Sequence, residues 1–320
     1  MAPLPYNLAM LTRRLLVLST LAFALTLALP LAAEQGPAAA TAAGTTAPEY
    51  GPAKGTLVIV GGNMSDNFGV PQKFIRLAGG PAKKFVIIPT NGGNRNADGT
   101  PKVYNEETVL APWKKRGLTN VVMLHTWDPK VADTEEFVKP LLDADAVWFD
   151  GGRQWNAVDS YMNTRALTEF WNVLNRGGVI AGSSAGATIQ SDYLVRGDTK
   201  GPDIMMTDEP NHQHGFAFLK HSAIDQHINT RMRWDDLIPV IRKYPQYLGI
   251  GLSEDTAIVV TGDTFEVIGR WKVTVHDNTH AYEPWQKPYD VLSVGDVYDM
   301  KARKIVKYGN GANASRGDKG

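Results

Sequence analysis

The sequence predicts an α/β fold: a doubly wound, mostly parallel sheet with helices on both faces and an antiparallel extension near the C-terminus. Three observations carry this prediction. Between Gly55 and Lys307, short continuous apolar runs alternate with stretches of helical periodicity. Strands apolar on both faces belong to a parallel sheet covered on each side. After Tyr244 the alternation gives way to shorter extended segments joined by a tight turn.

The first strand is Thr56-Leu57-Val58-Ile59-Val60, stopped by Gly61-Gly62. The second is Phe85-Val86-Ile87-Ile88, stopped by Pro89. Residues 121–124 form the third, Ala146-Val147-Trp148-Phe149 the fourth and Gly178-Val179-Ile180-Ala181 the fifth. Helical patterns lie between them, the first over 106–116. Another begins at Asp133, with Glu136 three residues on in a capping-box-like arrangement before Phe137, Leu141 and Leu142. Leu167, Phe170, Trp171 and Leu174 share one face of a helix that Gly177 terminates. Residues 257–261 and 265–268, joined by Gly262-Asp263, form a hairpin, and 272–275 and 290–307 add extended segments. In such folds the active site lies beyond the carboxyl ends of the parallel strands, so the loops after the first, fourth and fifth strands are the places to look.

Three hundred and twenty residues allow one large α/β domain or two modest ones. The 33 basic and 33 acidic residues cancel, so no global field recruits nucleic acid or an anionic membrane. The absence of cysteine excludes disulfides, zinc–thiolate sites and a cysteine nucleophile.

The N-terminus has the layout of a cleaved secretory signal peptide over residues 1–33. Arg13 and Arg14 precede an apolar run from Leu15 to Leu29, and Ala32-Ala33 provides small residues for cleavage. That run falls short of the roughly 20 residues needed to span a bilayer, so the expectation is a periplasmic or secreted protein without a stable membrane anchor. Residues 34–54, rich in Ala, Gly and Pro, are predicted to be a linker. The domain is placed at 55–307 and an unfolded tail at 308–320.

The fifth strand runs into Gly182-Ser183-Ser184-Ala185-Gly186-Ala187, a G-x-S-x-G pattern where strand meets helix. Small flanking residues allow a serine to sit in a strained turn with its hydroxyl in the cleft, and the free amides of the following helix would favour an oxyanion. Ser184 is the expected nucleophile and Ser183 the neighbour that shapes the turn. A serine needs a base, and the base an orienting acid. Among seven histidines, His227 stands out: Ser222-Ala223-Ile224-Asp225-Gln226-His227 has a strand-like approach, then polar groups before a helix carrying Arg231 and Arg233. Glu254 follows the glycine-rich strand Gly249-Ile250-Gly251-Leu252-Ser253, with Asp255 beside it as the competing acid.

Asp150-Gly151-Gly152-Arg153-Gln154, Gly182 to Ala187, Asp225-Gln226-His227 and Gly249 to Ala257 occur in one order. Together they resemble the cyanophycinase family, serine peptidases related to α-aspartyl dipeptidase within the class I glutamine-amidotransferase-like fold. The resemblance covers Gly55 to roughly Lys307 and implies that Ser184 is the nucleophile, His227 the general base and Glu254 the orienting acid. It further implies an oxyanion hole from the amides of Gly152 and Ala185, and a pocket lined by Gln154, Asp225, Gln226 and Arg231. An acidic peptide or polypeptide substrate, no cofactor and a homodimer are the matching expectations. The chain departs from the family pattern at Ile228, where many members have an aromatic residue, at Ser253, usually Asp, and at Asp236, where many carry arginine.

Three rivals follow from the same residues. A lipase-like hydrolase would order its triad serine, acid, histidine, enlisting Asp255 or Asp263 with His276 or His280, but leaves Asp225-Gln226-His227 unexplained. A zinc site would use His212, His214 and His221. A secreted binding protein would keep the fold without the chemistry, against which the intact Ser, His and Glu set argues.

Overall fold

The computed structural model describes residues 47–309. The expected signal peptide, linker residues 34–46 and tail residues 310–320 lie outside the described residues. Fourteen strands are present among them: β1 (Thr56–Val60), β2 (Phe85–Ile88), β3 (Val121–Met123), β4 (Ala146–Phe149), β5 (Val179–Ser183), β6 (Ser191–Tyr193), β7 (Leu219–Gln226), β8 (Leu248–Leu252), β9 (Thr256–Thr261), β10 (Thr264–Gly269), β11 (Val273–His276), β12 (Asp290–Leu292), β13 (Val297–Asp299) and β14 (Lys304–Lys307). Eight α-helices accompany them: α1 (Val70–Leu77), α2 (Glu106–Lys115), α3 (Pro129–Ala132), α4 (Glu135–Val138), α5 (Trp155–Tyr161), α6 (Arg165–Asn175), α7 (Ala185–Thr188) and α8 (Leu237–Lys243).

The strands form two sheets. The larger runs β14-β13-β10-β9-β1-β5-β4-β2-β3. Its β1, β5, β4, β2 and β3 are parallel, and the β9–β10 hairpin, β13 and β14 extend the β1 edge antiparallel. These are the five predicted parallel strands and, of the predicted extension, the hairpin and residues 297–307; residues 273–276 and 290–292 pair in the second sheet instead. Alternation of side chains splits the core between the two faces. Val58, Phe85, Ile87 and Trp148 pack with Phe74 of α1 and Trp113 of α2. Ile59, Val86, Ile88 and Phe149 share the other core with Phe170 of α6 and with Ile224 and Ile250 of the second sheet.

That second sheet, β12-β11-β8-β7-β6, was not foreseen. The strand-like approach to His227 and the expected strand at 249–253 become β7 and β8, which pair in parallel with Asp225 opposite Gly251 and Gln226 opposite Leu252. The pairing brings the two carboxyl ends, and therefore His227 and Glu254, side by side.

Other expectations are corrected. The helix anticipated directly after His227 begins only at Leu237; residues 228–236 are mostly turns, and Met232 has a φ of 54°. Asp133 does not cap α4. Thr134 accepts the amide of Phe137, while the Asp133 carboxylate accepts the amide of Arg165 at the start of α6. The last part of the predicted linker is folded as well. Tyr50 is 3% exposed, its amide donates to Asp263, its carbonyl accepts from Lys220, and Arg303 donates to its hydroxyl.

Candidate active site

Ser184 joins β5 to α7 with φ 57° and ψ −116°, a conformation in which a residue with a Cβ is strained. The turn is held where it is by close backbone contact. A Cβ at Gly186 would lie 2.0 Å from the Phe149 carbonyl oxygen, so glycine there lets the turn press onto the end of β4. The Ser184 amide donates to the Val60 carbonyl. α7 is one turn long, so the dipole of a long helix is not available at the serine. What the turn contributes is the placement of individual amides.

Ser184 Oγ lies 2.8 Å from His227 Nε2, and His227 Nδ1 lies 2.6 Å from Glu254 Oε1. A carboxylate only accepts, so Nδ1 carries the proton and the neutral ring offers Nε2 as acceptor for the hydroxyl. Burial, aided by the nearby Arg231 and Arg233 charges, pushes the imidazole below the ordinary histidine value, against the opposing pull of Glu254. The ring is positioned from two further sides. The His227 amide donates to the Gly61 carbonyl at 2.6 Å, and a Cβ on Gly62 would lie 2.3 Å from the ring. Glu254 is held by its own amide, which donates to Asn229 Oδ1. Asp255, the competing acid, accepts the Ser65 amide instead and fixes the loop after β1.

The model of peptidase family S51 matches residues 57–268. The chain belongs to that family. It is a serine-type peptidase. Relatives include the cyanophycinase of Synechococcus elongatus, 25% identical over 79% of this chain and 81% of that protein. That of Geminocystis herdmanii is 25% identical over 78% of this chain and 96% of its own length. The crystal structure of a peptidase from an acI-B1 Actinobacterium aligns with a TM-score of 0.57 at 23% identity, covering 77% of this chain and 97% of that one, and supports the fold.

Within this S51 chain the remaining expected residues fall into different environments. Gly152 is exposed and Ala185, the first residue after the nucleophile, is buried. Gln154 is 2% exposed and donates to the carbonyls of Val195 and Arg196, which makes it a brace for that segment rather than a surface for substrate. Asp225 is also fully buried, and Arg196 grips both its oxygens, at 2.8 and 3.0 Å. Arg196 reaches on to Asp236 at 2.5 Å. Asp236 therefore pairs with Arg196 and not with Arg233, three residues before it in the sequence. Gln226 is buried beside Arg233. Arg231 is exposed on the turn after the base, within electrostatic reach of His227.

The rival residues are dispersed. His212 donates to Glu209 and Asp159, both at 2.7 Å, while His214 lies by Asp192 and His221 packs on Tyr50. His276 bonds Thr274 and His280 lies near Asp277, neither in contact with Ser184. Arg196, Gly62 and Asn229 were missed from the sequence. Only Gly62 had a local signal, as half of the glycine pair closing a strand at the edge where the site was expected.

Proposed function

We propose that this chain is an exported serine peptidase that hydrolyses β-linked aspartyl peptides through an acyl-enzyme on Ser184. The observation that carries the reading is the unbroken hydrogen-bond chain Ser184–His227–Glu254 at 2.8 and 2.6 Å. Ser184 Oγ attacks the scissile carbonyl carbon as its proton passes to His227 Nε2. The new C–O bond leaves charge on the carbonyl oxygen, which the Gly152 amide meets, with Ala185 as second donor. The imidazolium, stabilised by Glu254, then returns its proton to the leaving amine as the C–N bond breaks. Water, deprotonated by the same His227, hydrolyses the ester and restores the serine.

The substrate class rests on the exposed guanidinium of Arg231, whose planar fork suits a carboxylate, and on the likeness to cyanophycinases. Export rests on the layout of residues 1–33, and a homodimer on the family resemblance. Two measurements test the reading. A fluorophosphonate should label wild type at Ser184, and the enzyme should release β-aspartyl-arginine from cyanophycin granules or cleave shorter β-aspartyl peptides. Failure of labelling would remove the nucleophile. Labelling without turnover of any aspartyl peptide would remove the substrate class.

A further inference from the structure

Beside Ser184 lies a cavity of about 660 Å³ that the triad itself does not use. Its connection to the chemistry is short. An ideal Cβ on Gly151 would sit 3.3 Å from the Ser184 Cβ, and the next residue, Gly152, already lines the cavity. Arg153 follows on the same wall, and Arg95, Trp127, Trp155 and Asp159 complete the part that carries charge or aromatic surface.

The charge balance of this cavity is positive. Asp159, its one acid, is already matched, because its carboxylate accepts from His212. Burial disfavours the charged form of that imidazole, but Asp159 and Glu209 outweigh it and raise its pKa. Arg153 places one hydrogen bond on the Asp198 carbonyl and Arg95 one on the Gly99 carbonyl. Among the described residues neither forms an ion pair, although Asp198 and Asp203 lie within electrostatic range of Arg153. The Asp198 carboxylate is taken up by the Lys200 amide and the Thr207 hydroxyl. Lys102 adds a third cation at the rim, donating to the Gly92 carbonyl. Arg95 lies 4.8 Å from the Trp127 ring, which holds the guanidinium along the wall.

We infer that this cavity is a second carboxylate-binding subsite, and that Arg153 is the specificity-determining residue for the part of the substrate lying on the Gly152 side of the scissile carbonyl. Arg231 stands on the His227 side, so the substrate class narrows to peptides carrying carboxylates on both sides of the cleaved bond. Trp127 and Trp155 supply apolar surface for the aliphatic stem of the acidic residue, and the arginines repel a cationic side chain there. The inference rests on Ser184 being the nucleophile.

The test measures kcat/KM for short β-aspartyl peptides that differ only in one flanking residue, glutamate, glutamine or lysine, varied on each side of the scissile bond. Wild type should prefer glutamate over lysine on one side by about tenfold or more, the size expected of one partly buried charge-assisted hydrogen bond. Arg153→Gln should shrink that preference severalfold, through KM rather than kcat, and Arg153→Glu should invert it. Arg95→Gln, a second variant if Arg153 substitutions fold poorly, should shrink it by a smaller factor. A wild type that is indifferent to the flanking charge or favours lysine would overturn the inference. So would an ordering that survives in the Arg153 and Arg95 variants. Absence of fluorophosphonate labelling of wild type would instead strike the proposed nucleophile, which keeps the two failures apart.

Discussion

Ser184 and His227 both have positive φ, 57° and 59°, conformations a non-glycine residue holds only when its surroundings impose them. Strain at two residues that share a hydrogen bond is the pattern expected where backbone cost is retained for chemistry. Ser184→Ala is expected to lower kcat/KM by at least about 10³-fold, while Ser183→Ala keeps measurable turnover. Glu254→Gln should lose most activity with little change in thermal stability, since it leaves the imidazole without its charge partner. Asp255→Asn should be milder on kcat because its carboxylate serves the Ser65 amide. The pH profile follows from the lowered pKa of His227. The base works only when neutral, so kcat/KM should fall as the pH drops through a midpoint below about 6.5. In Glu254→Gln that limb should move lower still, because a contact that raises the pKa has been weakened. A limb centred above 6.5 would contradict this account.

At the scale of elements, the site is made where three strand ends and one glycine pair meet. Gly62→Ala would press a methyl group into the His227 ring from a backbone with φ 128°. The expected outcome is a loss in kcat of about 100-fold, as for other misplacements of a catalytic group, with a folded protein by circular dichroism. The β7 end depends on a different device. Asp225 there is fully buried and compensated chiefly by Arg196. Removing one partner strands the other charge in the interior. Asp225→Ala should therefore cost about 3–5 kcal/mol in denaturant unfolding and reduce activity, because His227 lies two residues on. Asp236→Ala, which leaves the Asp225 pair intact, should cost less, since its carboxylate is partly open to solvent.

Across the molecule, the nucleophile comes from the nine-stranded sheet, while the base and acid come from the strand ends of the five-stranded one. Tyr50 ties the two sheets together, through Asp263 beside the β9–β10 turn and Lys220 in β7. Tyr50→Ala is expected to destabilise by about 3–5 kcal/mol, as for other buried aromatics, while kcat of the remaining folded protein stays within about twofold. A chain begun at residue 55 should show a lower melting temperature than one begun at 47, measured by calorimetry.

What the sequence by itself determined was whatever local periodicity encodes. The five continuous apolar strands, the hairpin at Gly262-Asp263 and the helix ending at Gly177 each follow from a few neighbouring residues. The Ser184 turn was legible for the same reason, since its glycines sit within two residues of it. Two partners of the serine stood out as polar groups after strand-like segments, yet nothing local joined them. Serine and histidine are 43 residues apart, histidine and glutamate 27. Only the tertiary structure decided that β7 and β8 pair in a second sheet, that Arg196 rather than Arg233 takes Asp236, and that Gln154 faces inward. Each is a choice of partner across distant chain, set by packing and by the cost of burying an unpaired charge, and a sequence pattern carries no record of which partner is reached.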